Sequence, residues 1–144
     1  MSQDPPSPRA QQTPAAKPQG WQPGQKKLRG FKRLGQATKH SIAGLAAGWH
    51  EPAFRLECAL AVPLLPAALW IGQDWVQVSL LAGSVLAVLI VELLNTGLES
   101  VVDRVGPQWH ELSKRAKDLG SAAVFLTMLG CLAVWLAALG ALLW

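Results

Sequence analysis

The sequence predicts an all-α membrane protein, with an N-terminal amphipathic surface helix ahead of three transmembrane helices. Three observations carry this. Hydrophobic residues make up 51% of the 144, too many for an ordinary soluble domain of this size. They gather into three runs, over residues 54–72, 75–102 and 119–144, and a bilayer span needs about 20 residues. The 13 Lys and Arg residues almost all avoid those runs: eight precede residue 41, four lie between Arg104 and Lys117, and Arg55 alone falls inside one. Basic flanks around apolar runs mark a membrane protein rather than a nucleic-acid binder, so no nucleic-acid partner is expected.

Residues 1–30 hold six of the ten prolines, many glutamines and almost no large apolar side chains. Such a segment cannot bury enough surface to offset its ordering entropy and reads as a disordered tail. It has no apolar stretch of the kind a signal peptide needs. Over residues 31–50 the pattern changes. With Phe31 at zero on a helical wheel, Leu34, Thr38, Ile42, Leu45 and Trp49 fall within about 60° of it at 100° per residue. Lys32, Arg33, Gln36, Lys39 and His40 take the other side. This predicts a basic helix lying on a membrane surface.

The first apolar run contains Pro63 and Pro66, tolerable in a membrane helix where neighbours re-satisfy the freed carbonyls. The link to the second run is short and carries Asp74 but no base. The link to the third carries Arg104, Lys114, Arg115 and Lys117. By the positive-inside rule the N-terminus and the 104–118 loop are cytoplasmic, and the 72–75 turn and C-terminus lie outside. Trp49, Trp70, Trp75, Trp109 and Trp144 sit near span ends, as an aromatic belt would, and Trp135 lies inside the third span. Cys58 and Cys131 lie in apolar runs with no CxxC or Cys/His cluster, and read as small buried hydrophobes.

The second run ends in VELLNTGLESVVDRVG, residues 91–106. Charges inside a bilayer are costly, and where they occur they are usually functional. With Glu92 at zero, Asn95 lies at about −60°, Thr96 at +40°, Glu99 at −20° and Asp103 at +20°. The polar groups form one stripe. Asp103 marks the cytoplasmic end, with Glu99 about 6 Å and Glu92 about 16 Å deeper at 1.5 Å per residue. A proton or ion pathway, a polar seam between helices, and a catalytic site with a metal near the surface would each use such a stripe. Glu51 and Glu57, in WHEPAFRLE at the head of the first span, support the third. Carboxylates from two helices at one level can share Mg²⁺, which takes a few carboxylates plus phosphate oxygens.

These residues resemble a known family. VELLNTGLESVVDRVG, followed by HELSKRAKDLGSAAV and preceded by GLAAGWHEPAFRLE, is similar to the signature of the prokaryotic diacylglycerol kinases, over roughly residues 31–144. The resemblance implies a homotrimer in the bacterial inner membrane with active sites shared between chains, open to the cytoplasm. It also implies transfer of the γ-phosphoryl of Mg-ATP to diacylglycerol, giving phosphatidic acid. No GxxxxGK[ST] or kinase Gly-rich loop occurs in the chain, in keeping with a family that lacks a P-loop. Relatives that phosphorylate undecaprenol give an alternative substrate, and a non-enzymatic membrane subunit or ion conduit gives an alternative class.

The resemblance also implies roles. Glu92 corresponds to the general base, and Glu51 and Glu99 to the metal-holding carboxylates that also face ATP. Lys117 and Asp118 correspond to a nucleotide-contacting pair, with Gln108, Trp109 and His110 in the loop beside it. Arg33 corresponds to a basic residue reaching both ATP and lipid, and His40 to a further nucleotide contact. Ala53, Phe54, Arg55, Leu56 and Glu57, with Asn95 and Ser121, correspond to the lipid-substrate pocket. Gln108 and Trp109 stand where the family often has Glu-Tyr, and His40 where a tyrosine is common. Among the other charges, Asp103 is expected to pair with Arg104 or with a neighbouring chain, Glu111 and Lys114 to be solvated loop charges, and His50 an interfacial polar residue.

Overall fold

A computed structural model describes residues 31–143; the 1–30 tail and Trp144 lie outside the described residues. Four helices follow one another: α1 (Phe31–Gly48), α2 (Pro52–Ile71), α3 (Trp75–Val105) and α4 (Glu111–Leu143). The last three are each long and apolar enough to cross a membrane.

Among the described residues, nothing covers the apolar side of α1. Leu34, Ile42 and Leu45 are all exposed, as a helix would leave them if its apolar face served a membrane surface. α1 meets the bundle at its last residue. A Cβ on Gly48 would stand 2.5 Å from Leu93 Cδ2 and 3.3 Å from Phe54 Cδ1, so a glycine is what lets α1 dock there. The chain then turns through Trp49, His50 and Glu51, whose amides donate to Leu45, Ala47 and Gly48 carbonyls at 3.0, 3.1 and 2.9 Å. Glu51 is extended, and Pro52 opens α2 at a position where its missing N–H costs nothing. α2 runs unbroken through Pro63 and Pro66.

A tight turn reverses the chain into α3. Asp74 caps α3 by accepting from the amides of Val76 and Gln77 at 2.8 and 2.9 Å. The amide of Gln73 donates to Gln77 Oε1 at 3.0 Å, and that of Gly72 to Ala68 O at 3.1 Å. At its other end α3 stops at Gly106, whose φ of 150° favours glycine, with Pro107 next. α4 begins at Glu111, well before the apolar run at 119. Hydropathy marks only the membrane-embedded part, whereas ELSKRAKD is built from good helix formers and carries a Lys114–Asp118 pair at 2.5 Å, four residues apart.

α3 packs along both α2 and α4, which scarcely touch each other. The result is a groove with α3 as its floor. Ala61, Ala68, Leu81, Val85 and Trp135 form the packed core. It fills the half of the bundle nearer the 72–74 turn. Small residues at this contact let backbones approach closely, which matters in lipid, where dispersion packing replaces the hydrophobic drive between helices. Trp135 is buried in this core, unlike the exposed Trp49, Trp70, Trp75 and Trp109.

Candidate active site

Toward the other end the groove opens into a cavity of about 510 Å³. Four carboxylates line it: Glu51 and Glu57 from the α2 side, Glu92 and Glu99 from α3. Asn95 and Thr96 complete the α3 wall, Ala53 adds to that of α2, and α4 supplies Ser121, Val124, Phe125 and Met128. The arrangement follows from helix periodicity. Glu92, Asn95, Thr96 and Glu99 are spaced three and four apart on one face of α3. Ala53 and Glu57 are one turn apart on α2, and Ser121, Val124, Phe125 and Met128 form a single stripe of α4. Glu51 has an extended backbone and its side chain makes no capping bond to α2, leaving its carboxylate available to the cavity.

Glu57 and Glu92 are both only 6% exposed, whereas Glu51 is exposed and Glu99 half-buried at the cavity's outer part. The carboxylates of Glu99, Glu51 and Glu57 all lie close enough to Glu92 to interact with it electrostatically. Asn95 Nδ2 donates to Glu99 Oε1 at 3.3 Å. The Asn95 side chain reaches the cavity only because α4 has Gly120 opposite it: a Cβ there would collide with Asn95 Oδ1 and sit 3.2 Å from Leu98 Cδ2. Among the described residues, Asn95 Oδ1 and both Glu57 oxygens are buried with no hydrogen-bond partner. A buried acceptor left unmade costs about 1–3 kcal/mol. This is therefore a cavity rich in acceptors that suits a hydroxyl donor or a cation.

A second cleft, of about 450 Å³, sits beside the α3–α4 loop. Gln108, Trp109, His110, Lys117 and Asp118 line it together, with Asp103 and Lys114. His110 Nδ1 accepts from the Leu112 amide at 3.2 Å, fixing the ring at the start of α4. Asp103 pairs with Lys117 across the two helices, Oδ1 to Nζ 2.5 Å. Within the chain, this replaces the expected pairing with Arg104. Residues 103 and 104 point about 100° apart on α3, and Asp103 is the one facing α4. Lys117 lies just before the third apolar run, which begins at residue 119. The Asp103 carboxylate, by accepting its hydrogen bond, holds the ammonium above its ordinary pKa. Lys114, expected to be a solvated loop charge, is helical and paired with Asp118.

Two clusters thus gather most of the predicted residues. Outside them, Phe54 is buried under Gly48, and Arg55 and Leu56 are exposed and line neither cavity. An α-helix turns only Ala53 and Glu57 of that stretch to one side. Arg33 and His40 are exposed on α1 and line neither cluster. Thr96 and the Val124, Phe125 and Met128 stripe belong to the cavity without having been assigned a role. Thr96 lay on the polar stripe, and the α4 set follows from stepping three, four and seven residues on from Ser121.

Among the described residues no three His, Cys, Asp or Glu side chains converge as a ready-made metal cage. The donor set does fit Mg²⁺ in the way the ion is commonly held, by one or two carboxylates plus waters and substrate phosphates. Glu51 and Glu99 supply hard oxygen donors at one cavity, and the orphaned acceptors around them favour positive charge.

Fold and site together define a class: a small helical membrane protein with a buried carboxylate at the bottom of a polar cavity, next to a cleft bearing lysines. The chain belongs to the prokaryotic diacylglycerol kinase family, which matches residues 39–139. It is similar to the diacylglycerol kinase of Haemophilus influenzae, with 44% identity over 110 residues covering 76% of this chain and 93% of that one. It is likewise 44% identical to the diacylglycerol kinase of Escherichia coli K12 over 107 residues, 74% of this chain and 88% of that one. The Pseudomonas aeruginosa diacylglycerol kinase is 42% identical over 107 residues, 74% and 87% of the two chains. Lys117, Glu92 and all other cavity residues fall inside the matched segment, and Arg33 precedes it.

Proposed function

We propose that this integral membrane enzyme transfers the γ-phosphoryl of Mg-ATP to the free hydroxyl of diacylglycerol, giving phosphatidic acid. Family membership supports the lipid-kinase reaction. The observation that carries the site assignment is the placement of Glu92, buried at the bottom of a cavity whose outer part holds Glu51 and Glu99.

Glu92 accepts the proton of the lipid hydroxyl as its oxygen bonds to the γ-phosphorus and the bond to the β–γ bridging oxygen breaks, releasing ADP. A base in hydrogen-bond reach contributes typically about 10²–10⁴-fold. Glu57, with two unpaired buried oxygens, and Asn95 hold the hydroxyl end of the lipid. Ala53 and Ser121 line the same pocket. Glu51 and Glu99 would hold Mg²⁺, which would offset phosphate charge there. Lys117, Asp118 and the 108–110 loop receive the nucleotide; His40 and Arg33, which line neither cavity of the single chain, would reach it only from α1 within the assembled trimer. Phosphoryl transfer needs chiefly this positioning and charge neutralisation. The groove opens sideways to the hydrocarbon, and a hydroxyl at the glycerol level of a lipid lies deeper than the phosphates of ATP, which matches the greater depth of Glu92.

In this reading the protein sits in the bacterial inner membrane with both cavities toward the cytoplasm, supported by the Lys/Arg bias of the 104–118 loop. It works as a homotrimer with shared sites, and the exposed apolar faces of α2, α3 and α4 supply surface for contact between copies as well as with lipid.

The test is phosphorylation by purified full-length protein from [γ-³²P]ATP, offering diacylglycerol and undecaprenol separately. Label in phosphatidic acid is expected. Glu92→Gln should lower turnover about a hundredfold or more, with nucleotide binding retained. Label confined to undecaprenyl phosphate would overturn the substrate. A Glu92→Gln protein that loses nucleotide affinity rather than turnover would remove its role as base.

A further inference from the structure

Lys117 has two carboxylates within electrostatic reach, both on α3. One is Asp103, at 2.5 Å from its Nζ. The other is Glu99, one turn deeper on the same face, which already accepts from Asn95. The loop cleft is lined by Lys117 and Asp103, whereas Glu99 belongs to the carboxylate cavity. Which carboxylate the lysine chooses therefore decides which cavity its charge serves.

We propose that Asp103 is a positioning residue for Lys117, holding its ammonium at the loop cleft and off Glu99. The inference rests on the reading of that cleft as the nucleotide's place. An ammonium carries three donors, and Asp103 takes one, so two remain for phosphate oxygens. Lysine is a flexible stem whose freedom has to be lost on binding; a partner anchored on a second helix removes much of that freedom beforehand. The pair is also half-exposed, at 39% and 66% for the two side chains. Exposed pairs of this kind add little to stability, so orientation rather than folding is its effect. Without Asp103, the next anionic partner of Lys117 is Glu99. The lysine then turns toward the carboxylate cavity and leaves the cleft one cation short.

Binding of a non-hydrolysable ATP analogue to the full chain in detergent, by titration calorimetry, tests this alongside steady-state kinetics. Asp103→Asn should weaken the analogue by about three- to tenfold, the range of a lost charge-assisted orienting contact. The ATP KM should rise in parallel while kcat falls by less, and Asp103→Glu should restore both. Lys117→Ala serves as the reference and should weaken the analogue at least as much. Unchanged or tighter binding in Asp103→Asn, with Lys117→Ala weakened, overturns the positioning role and leaves the nucleotide cleft standing. Wild-type binding in both variants overturns the cleft assignment and the positioning role together.

Discussion

Gly120→Ala places a single methyl where α4 crosses Asn95. Its Cβ would collide with Asn95 Oδ1 and approach Asn95 Cγ and Leu98 Cδ2 at 3.3 and 3.2 Å. Three energies decide the outcome. Alanine in a helix interior is favoured over glycine by about 0.8–1.0 kcal/mol. Overpacking typically costs about 1–3 kcal/mol. Here the atoms struck belong to the end of one side chain, whose recorded bond is the long 3.3 Å contact to Glu99, itself worth at most about 1 kcal/mol. Asn95 can therefore rotate away, and we expect the net change in stability to stay within about 2 kcal/mol, the propensity gain offsetting part of the strain. Catalysis has no such offset. Asn95 leaves the cavity and Glu99 loses its hydrogen-bond donor, and a misplacement of about 1 Å can cost 10²-fold in rate. We predict a ten- to hundredfold lower kcat, about the range that principle allows, with thermal unfolding in detergent shifted by only a few degrees. Radiolabelled lipid phosphorylation and circular dichroism melts measure the two. Adding Asn95→Ala should relieve the clash and recover stability without recovering activity. Wild-type turnover in Gly120→Ala would refute the placement of the site at this crossing, and failure to fold would refute the energy argument.

Glu51→Gln and Glu99→Gln should each raise the Mg²⁺ concentration for half-maximal activity, since each removes one hard oxygen ligand; a magnesium titration that superposes on wild type would exclude both as ligands. If sites are shared between copies, co-refolding Glu92→Gln chains with Lys117→Ala chains should give activity above either parent. Crosslinking would verify that the chains had mixed, and a flat activity curve after verified mixing would place both residues in one chain's site.

The polar stripe was legible because a helix repeats every 3.6 residues: Glu92, Asn95, Thr96 and Glu99 had to share a face, and they do. The three long apolar helices follow from run length alone. What periodicity within one helix cannot give is the partner across a crossing. Asp103 looked like a neighbour of Arg104 because the two adjoin in sequence, yet it meets Lys117, fourteen positions on, through the antiparallel pairing of α3 and α4. The burial of Phe54 under Gly48 was hidden for the same reason, as was the division of residues 53–57 between cavity, α1 contact and exposed surface. The start of α4 at Glu111 escaped a hydropathy reading because its first turns are charged.

The α2–α3 hairpin is tied most firmly at the end away from the carboxylates. Asp74 caps the turn and Ala68 and Leu81 pack beside it at 0% and 1% exposure, whereas the opposite end opens into the two polar cavities. Such a molecule has the shape of a pair of tongs. Glu92 stands seventeen residues from Trp75, a lever arm of about 26 Å at 1.5 Å per residue. A splay of about 5° at the pivot moves a group on that radius by roughly 2 Å, the whole length of a Mg²⁺–oxygen bond. Any such splay would register first in the distance between Glu51 on one arm and Glu99 on the other.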